Sequence, residues 1–210
     1  MSRGRFITFE GGEGAGKSTQ LKRLVARLRA EGLEVVATRE PGGSPGAEAI
    51  RELVLNGAAD RWSPVTETLL MYAARRDHLE RVIRPALERG AWVVCDRFAD
   101  STRAYQGAAG GADPALIAAL ERLVLEDVRP DLTLIFDFAP EEGLKRAAGR
   151  GGEMRFESKG MEFHERLREA FLAIAGEEPD RCIVIDAAGP VEAVEAAVWT
   201  AAQSRLAVHG

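Results

Sequence analysis

The run Gly11-Gly12-Glu13-Gly14-Ala15-Gly16-Lys17-Ser18 fits the spacing G-x-x-x-x-G-K-[ST] and is followed by Thr19. Each residue type suits polyphosphate. Glycines let the backbone approach the anion closely. Successive amide N–H groups, together with a following helix N-terminus, form an anion nest. Lys17 is expected to hold the β- and γ-phosphates, and the Ser18 hydroxyl to join the coordination of Mg2+. Glu13 is the anomaly, because a carboxylate inside a phosphate site repels the ligand. The nest is made of backbone groups, so the Glu13 side chain is free to point away from it.

A second group follows the apolar run "WVVC". Asp96 ends that run, and a carboxylate at this place suits the metal of a phosphate loop. Asp137 ends "LTLIFD" in the same style, so the position of Asp96 alone does not single it out, and capping or ion pairing accounts for either. Arg97, Ser101, Thr102, Tyr105 and Gln106 come within ten residues of Asp96. Were the segment α-helical, positions 101, 102, 105 and 106 would share one face. Hydroxyls, an amide and an aromatic ring there suit a nucleobase and sugar. A phosphate loop alone is compatible with switches, motors and small-molecule kinases. The guanine-reading Asn-Lys-x-Asp is absent, since the single asparagine, Asn56, precedes Gly57.

Positioning these residues requires a sheet. Short apolar, mostly β-branched or aromatic runs predict strands at Phe6–Phe9, Val35–Thr38, Trp92–Cys95, Leu132–Phe136 and Cys182–Ile185. Amphipathic stretches separate them, such as Leu21, Leu24, Val25 and Leu28 at i, i+3, i+4, i+7. Ser44-Pro45, Ser63-Pro64 and Asp113-Pro114 each set a capping side chain before a proline at a helix start. One long helix is expected from Ser63 to about Arg89. Alternating strands and helices predict a parallel sheet covered on both faces. The 210 residues suit a single domain. The Gly-rich, basic stretch "AAGRGGEMRFESKG", a loop at about 147–160, interrupts the pattern between two helices.

The net charge of −5 argues against a general nucleic-acid or membrane-surface binder. No apolar run approaches a membrane span and no signal peptide is visible, so a cytoplasmic protein is expected. Cys95 and Cys182 lie in apolar runs and read as reduced core residues. His78 and His164 lack metal-ligand spacing.

"FEGGEGAGKST", "TREPGGSPGAEAIRELVL", "AARRDHLERVIRPAL", "VVCDRFADSTRAYQG", "RPDLTLIFDF" and "GMEFHERLREAF" occur in the order found in thymidylate kinases, which the chain resembles over most of its length. The resemblance implies a P-loop nucleoside monophosphate kinase fold with five parallel strands. It also implies transfer of the γ-phosphoryl of ATP to dTMP with Mg2+, and a homodimer. By the same resemblance Arg97 bridges the acceptor phosphate and the transferred group, Arg51 is a second phosphate ligand, and Glu40 lies near metal and acceptor. Arg75 reads thymine O4, Thr102 and Gln106 lie near the base edge, and Tyr105 crowds the sugar 2′ position. Pro41 matches a position that can be cis, and the carboxylate matching Glu13 reaches the acceptor's 3′-hydroxyl.

Two departures from the family pattern bear on the base site. "MYAAR" replaces the usual "FAADR", so the base-stacking ring falls on Met71, and Ala74 stands where an aspartate precedes Arg75. No arginine occurs inside the phosphate loop. The resemblance then assigns the catalytic arginines to the lid, to Arg155 (in "MRFE") first and Arg150 second, with Arg146 against the adenine. A kinase of dUMP or UMP, or a P-loop ATPase with no monophosphate acceptor, stays open at this point.

Overall fold

The computed structural model describes residues 3–58, 60–148 and 154–206. Five strands form one parallel sheet: β1 (Phe6–Gly11), β2 (Val35–Arg39), β3 (Trp92–Asp96), β4 (Leu132–Asp137) and β5 (Cys182–Asp186), in the order β2-β3-β1-β4-β5. Every expected strand is present. Each extends one or two residues further at its carboxyl end, which brings Gly11, Asp96 and Asp137 into the ladder.

The helices are α1 (Lys17–Ala30), α2 (Pro45–Leu55), α3 (Pro64–His78), α4 (Arg84–Glu88), α5 (Ala99–Thr102), α6 (Pro114–Leu125), α7 (Pro140–Ala148), α8 (Met154–Glu157), α9 (Met161–Glu177) and α10 (Val191–Leu206). Strand side chains alternate between faces. On β1, Ile7 and Phe9 pack with Leu24 and Leu28 of α1 and Val198 and Trp199 of α10. Phe6 packs on the opposite face with Tyr72, Leu87 and Ile117. Thr8 and Glu10 lie on that same opposite face, both fully buried. The sheet is therefore covered on both sides, as a parallel sheet requires.

Three local features differ from expectation. The helix starting at Ser63 is not α-helical throughout: it widens into a π-helical turn over Leu79–Ile83 before α4. Pro85, with no N–H to give, sits at the start of the resumed helix. Arg103–Ala108 is π-helical as well, closed by the Ala109 N–H donating to Ala104 O at 2.9 Å. Ser63 and Asp113 cap their helices as expected, accepting from the Thr66 and Ala115 amides. Ser44 does not: it is buried, and its hydroxyl donates to Asp77 at 2.6 Å, tying the start of α2 to α3.

Cys95 and Cys182 are both buried. No described helix is long and apolar enough to cross a membrane.

Candidate active site

A cavity of about 400 Å³ opens at the carboxyl edge of the sheet, where open parallel sheets place their ligands. One wall is the turn between β1 and α1. Gly16 adopts the left-handed conformation (φ 83°) as the residue before α1, and Gly14 (φ 69°) lies directly against the backbone of Gly143 in α7. A Cβ on Gly14 would overlap the Gly143 carbonyl, and one on Gly143 would overlap the Glu13 carbonyl. Glycine is required at both places.

Lys17 is buried, and its ammonium donates to Gly11 O at 3.0 Å and to Gly12 O at 2.5 Å. Burial first, then repulsion from Arg97, pushes its pKa down to about 8. The Ser18 hydroxyl donates to Asp96 at 2.8 Å. The two residues expected at the metal are thus hydrogen-bonded neighbours. Asp137, the competing strand-end carboxylate, is taken up in a two-point pair with Arg168 at 2.6 and 2.9 Å. This separates two aspartates that looked alike in sequence.

Arg97 sits in the middle. Its φ is 71°, uncommon for a residue with a side chain. The conformation is held from both ends: its amide donates to Phe9 O at 2.9 Å, and its guanidinium to Gly11 O at 2.8 Å and Ser101 Oγ at 3.2 Å. The guanidinium also faces Glu13 at 3.4 Å. Burial works against the Arg97 charge, yet Tyr105, Glu13 and Asp96 together raise its pKa. Burial likewise opposes ionisation of Glu13, while Arg97 and Lys17 outweigh it and hold the carboxyl below its ordinary range. Glu13 turns toward Arg97 and Tyr105, which accounts for a carboxylate in the loop.

The facing wall carries Glu40, Arg51, Met71, Arg75 and Thr102. Arg75 is buried and donates to Glu40 at 2.7 Å, Phe98 O at 2.9 Å and Thr102 at 3.1 Å. Among the described residues its Nη1 has no hydrogen-bond partner. A buried donor without an acceptor is costly, so an acceptor supplied from the cavity is the natural complement. Glu40 is held from its other oxygen by His78, whose second nitrogen meets Thr38 at 2.7 Å. The peptide bond between Glu40 and Pro41 is cis, and Arg51 donates to Pro41 O at 2.5 Å. Tyr72 is turned away from Met71 into the core, where it is 1% exposed.

Most of the expected acceptor residues therefore meet in one cavity. Gln106 does not line it. Ser101, Thr102 and Tyr105 of the same segment do line it, whereas Gln106 donates to Glu67 at 2.9 Å. Arg155 is also absent from the cavity wall among the described residues. It is buried and engaged by Val54, Ala58 and Glu67. Arg150 lies outside the described residues. Arg146 has its guanidinium 4.2 Å from the centre of the Phe138 ring, and Thr19 is exposed on the first turn of α1.

Sequence reasoning missed several contributors. Arg39, Phe98 and Phe156 line the cavity, and Glu10 supports it from below. Glu10 accepts from the Phe98 amide at 2.7 Å and from Ser101 at 2.5 Å. A carboxylate inside the otherwise apolar "FITFEG" was the available signal.

A phosphate loop opening a helix after the central strand, a carboxylate on the adjacent strand, and an arginine-rich second wall across a shared cavity define a P-loop phosphotransferase of the nucleoside monophosphate kinase fold. Comparison with known proteins narrows the class. The family model described as thymidylate kinase matches residues 9–198. A thymidylate kinase of Caulobacter vibrioides is 68% identical over 98% of this chain and 99% of its own. One from Bradyrhizobium diazoefficiens is 55% identical over 97% of this chain and 91% of its own. The crystal structure of thymidylate kinase from Ehrlichia chaffeensis superposes with a TM-score of 0.77 at 38% identity, covering 96% of this chain and 99% of the other. The chain belongs to the thymidylate kinase family.

Proposed function

We propose that this protein transfers the γ-phosphoryl group of ATP to the 5′-phosphate of dTMP, giving ADP and dTDP. One observation carries the reading: the phosphate loop and the Arg51–Arg75 wall face each other across a single cavity with Arg97 between them. An ATPase without an acceptor has no use for the second wall.

The chain's part is mostly positioning and charge. Gly11 to Ser18 hold the ATP phosphates, with Thr19 beside them and Arg146 toward the adenine. Lys17 accompanies the β- and γ-phosphates. Arg97 and Arg51 hold the acceptor phosphate, whose oxygen forms a new bond to phosphorus as the β–γ bridging bond breaks and the electron pair leaves with ADP. Arg97, fixed by Gly11 and Ser101, is placed to meet negative charge on the moving group. Arg75 offers its Nη1 to the base, with Met71 against the ring face and Thr102 at the edge. Glu13 accepts from the sugar hydroxyl, and Tyr105 closes the 2′ side.

The donor set of Ser18 and Asp96, hard oxygens beside a phosphate site, fits Mg2+. When bound, the ion neutralises phosphate charge. Residues 147–160 act as the lid. Of its arginines, Arg150 keeps the expected role beside the transferring group, whereas Arg155 is committed to Glu67, Val54 and Ala58. We place the protein in the cytoplasm as a homodimer. Exposed Val65 and Leu69 on α3 and Leu123 on the neighbouring α6 supply an apolar face for it.

The test is coupled ADP release with and without dTMP, and with dUMP, UMP and dCMP in its place. Turnover should depend on dTMP and be highest with it. A preference for UMP would transfer the assignment to another pyrimidine monophosphate, a reading that Met71 keeps in view. Equal turnover with no acceptor would make the protein an ATPase.

A further inference from the structure

Glu67, on α3, has no part in the chemistry above, does not line the cavity and is only 6% exposed. Its two oxygens have different partners. One accepts from Gln106 Nε2 at 2.9 Å, and the other pairs with Arg155 Nη1 at 2.5 Å. Arg155 in turn donates to Val54 O at 2.9 Å and Ala58 O at 3.2 Å. Val54 belongs to the last turn of α2, which contains no basic residue of its own. The guanidinium therefore meets the partial negative charge at that helix end.

Three segments converge on the Glu67–Arg155 pair. The first is α2, which carries Arg51. The second is the π-helical turn, which carries Tyr105 beside Gln106. The third is α8, where Phe156 stands next to Arg155, packs edge-on against Tyr105 with ring centres 5.5 Å apart, and lines the cavity. Arg51 and Tyr105 are the groups that address the acceptor's phosphate and sugar.

We propose that Glu67 is a positioning residue: it anchors the lid segment 154–160 to the acceptor wall through Arg155 and so sets Arg51 and Tyr105 for the monophosphate. The inference rests on the reading of this cavity as the acceptor site. It also makes Arg155 an anchor rather than a group that reaches the transferring phosphoryl. The Arg155 side chain is 1% exposed and that of Glu67 is 9% exposed. Withdrawing the arginine would strand a buried carboxylate, and removing one member of a buried pair is strongly unfavourable.

The test compares Glu67→Gln and Arg155→Met in the full chain, by amide hydrogen exchange without nucleotides and by steady-state kinetics. Both substitutions should speed exchange across 154–160 and at the end of α2 by about tenfold or more. Both should raise KM for dTMP by about tenfold, leave KM for ATP within about twofold, and lower kcat far less than a lost arginine finger would, which is about 10³-fold or more. The double variant should be no worse than either single, as expected of two residues acting as a unit. Should Glu67→Gln fail to fold, Arg155→Lys, which keeps the charge but loses the fork of donors, carries the same comparison.

The proposal is overturned if Arg155→Met loses kcat about 10³-fold at unchanged KM for dTMP while Glu67→Gln behaves as the parent. Unchanged exchange in both variants overturns it as well. If no monophosphate stimulates ADP release by the parent, yet exchange rises alike in both variants, the anchor stands and the acceptor reading falls.

Discussion

The Tyr105 phenol donates to Glu13, lying 2.6 Å from both carboxylate oxygens. A residue of the ATP loop is thereby tied to the acceptor side of the cavity. Removing the carboxylate should disturb the acceptor more than the donor. Glu13→Ala is expected to raise KM for dTMP and lower kcat, each by about tenfold, on loss of a charge-assisted contact. ATP affinity, measured by titration without dTMP, should stay within about twofold, since amides make the phosphate nest. A loss confined to ATP affinity would disprove the assignment.

Lys17 has a pKa pushed down to about 8 by burial and by Arg97. Its positive charge is present below that value and lost above it. ATP affinity should accordingly be level through neutral pH and fall as pH rises past about 8, approaching about tenfold per pH unit. Calorimetric titrations between pH 6.5 and 9.5 would show the bend. A level profile would mean that the lysine keeps its proton throughout.

Glu10 supports the cavity from beneath. Burial, then the negative charge of Asp100, raises its pKa from 4.5 to about 7. A carboxyl whose folded value lies above its unfolded value stabilises the fold at low pH and loses that contribution as pH rises. Between about 4.5 and about 7, this group should make the fold less stable with increasing pH. Glu10→Gln should flatten the trend in urea unfolding measured across that window. A slope unchanged by the substitution would assign the pH dependence to other groups.

Met71 lines the cavity where the family pattern has a phenylalanine. A thioether offers less area to a base than a ring does. Met71→Phe should lower KM for dTMP by about threefold to tenfold, in line with about 0.5–1.5 kcal/mol for an aromatic pair, with kcat within about twofold. A raised KM would show that the cavity is shaped around the methionine.

Much of this site was readable because its residues lie in short local patterns. The loop of Gly11 to Ser18 and the run from Asp96 to Tyr105 follow strand ends, and a strand end at the carboxyl edge is where a ligand meets the protein. The strands themselves were legible as short β-branched runs. What stayed hidden depends on long-range pairing. Nothing near Glu67 in sequence indicates Gln106 or Arg155 as its partners, and nothing near Asp137 indicates Arg168. The Ser44-Pro45 pair looked like a helix cap, but tertiary contact with Asp77 redirected its hydroxyl. The π-helical turns were likewise invisible, because a one-residue widening leaves no compositional mark. Gln106 is a further case: its type suits a base edge, and its amide donates to Glu67, a partner distant in sequence.

The contact between Gly14 and Gly143 limits how such an enzyme can be rebuilt. Positive charge for the transfer can in principle be supplied from the loop or from the lid. Here a side chain at position 14 collides with Gly143 of α7, the helix that runs to Ala148. An arginine placed in the loop at that position would have to displace α7. A charged side chain at position 14 therefore calls for a coordinated change in α7. An engineer, or a lineage, would have to reposition α7 first.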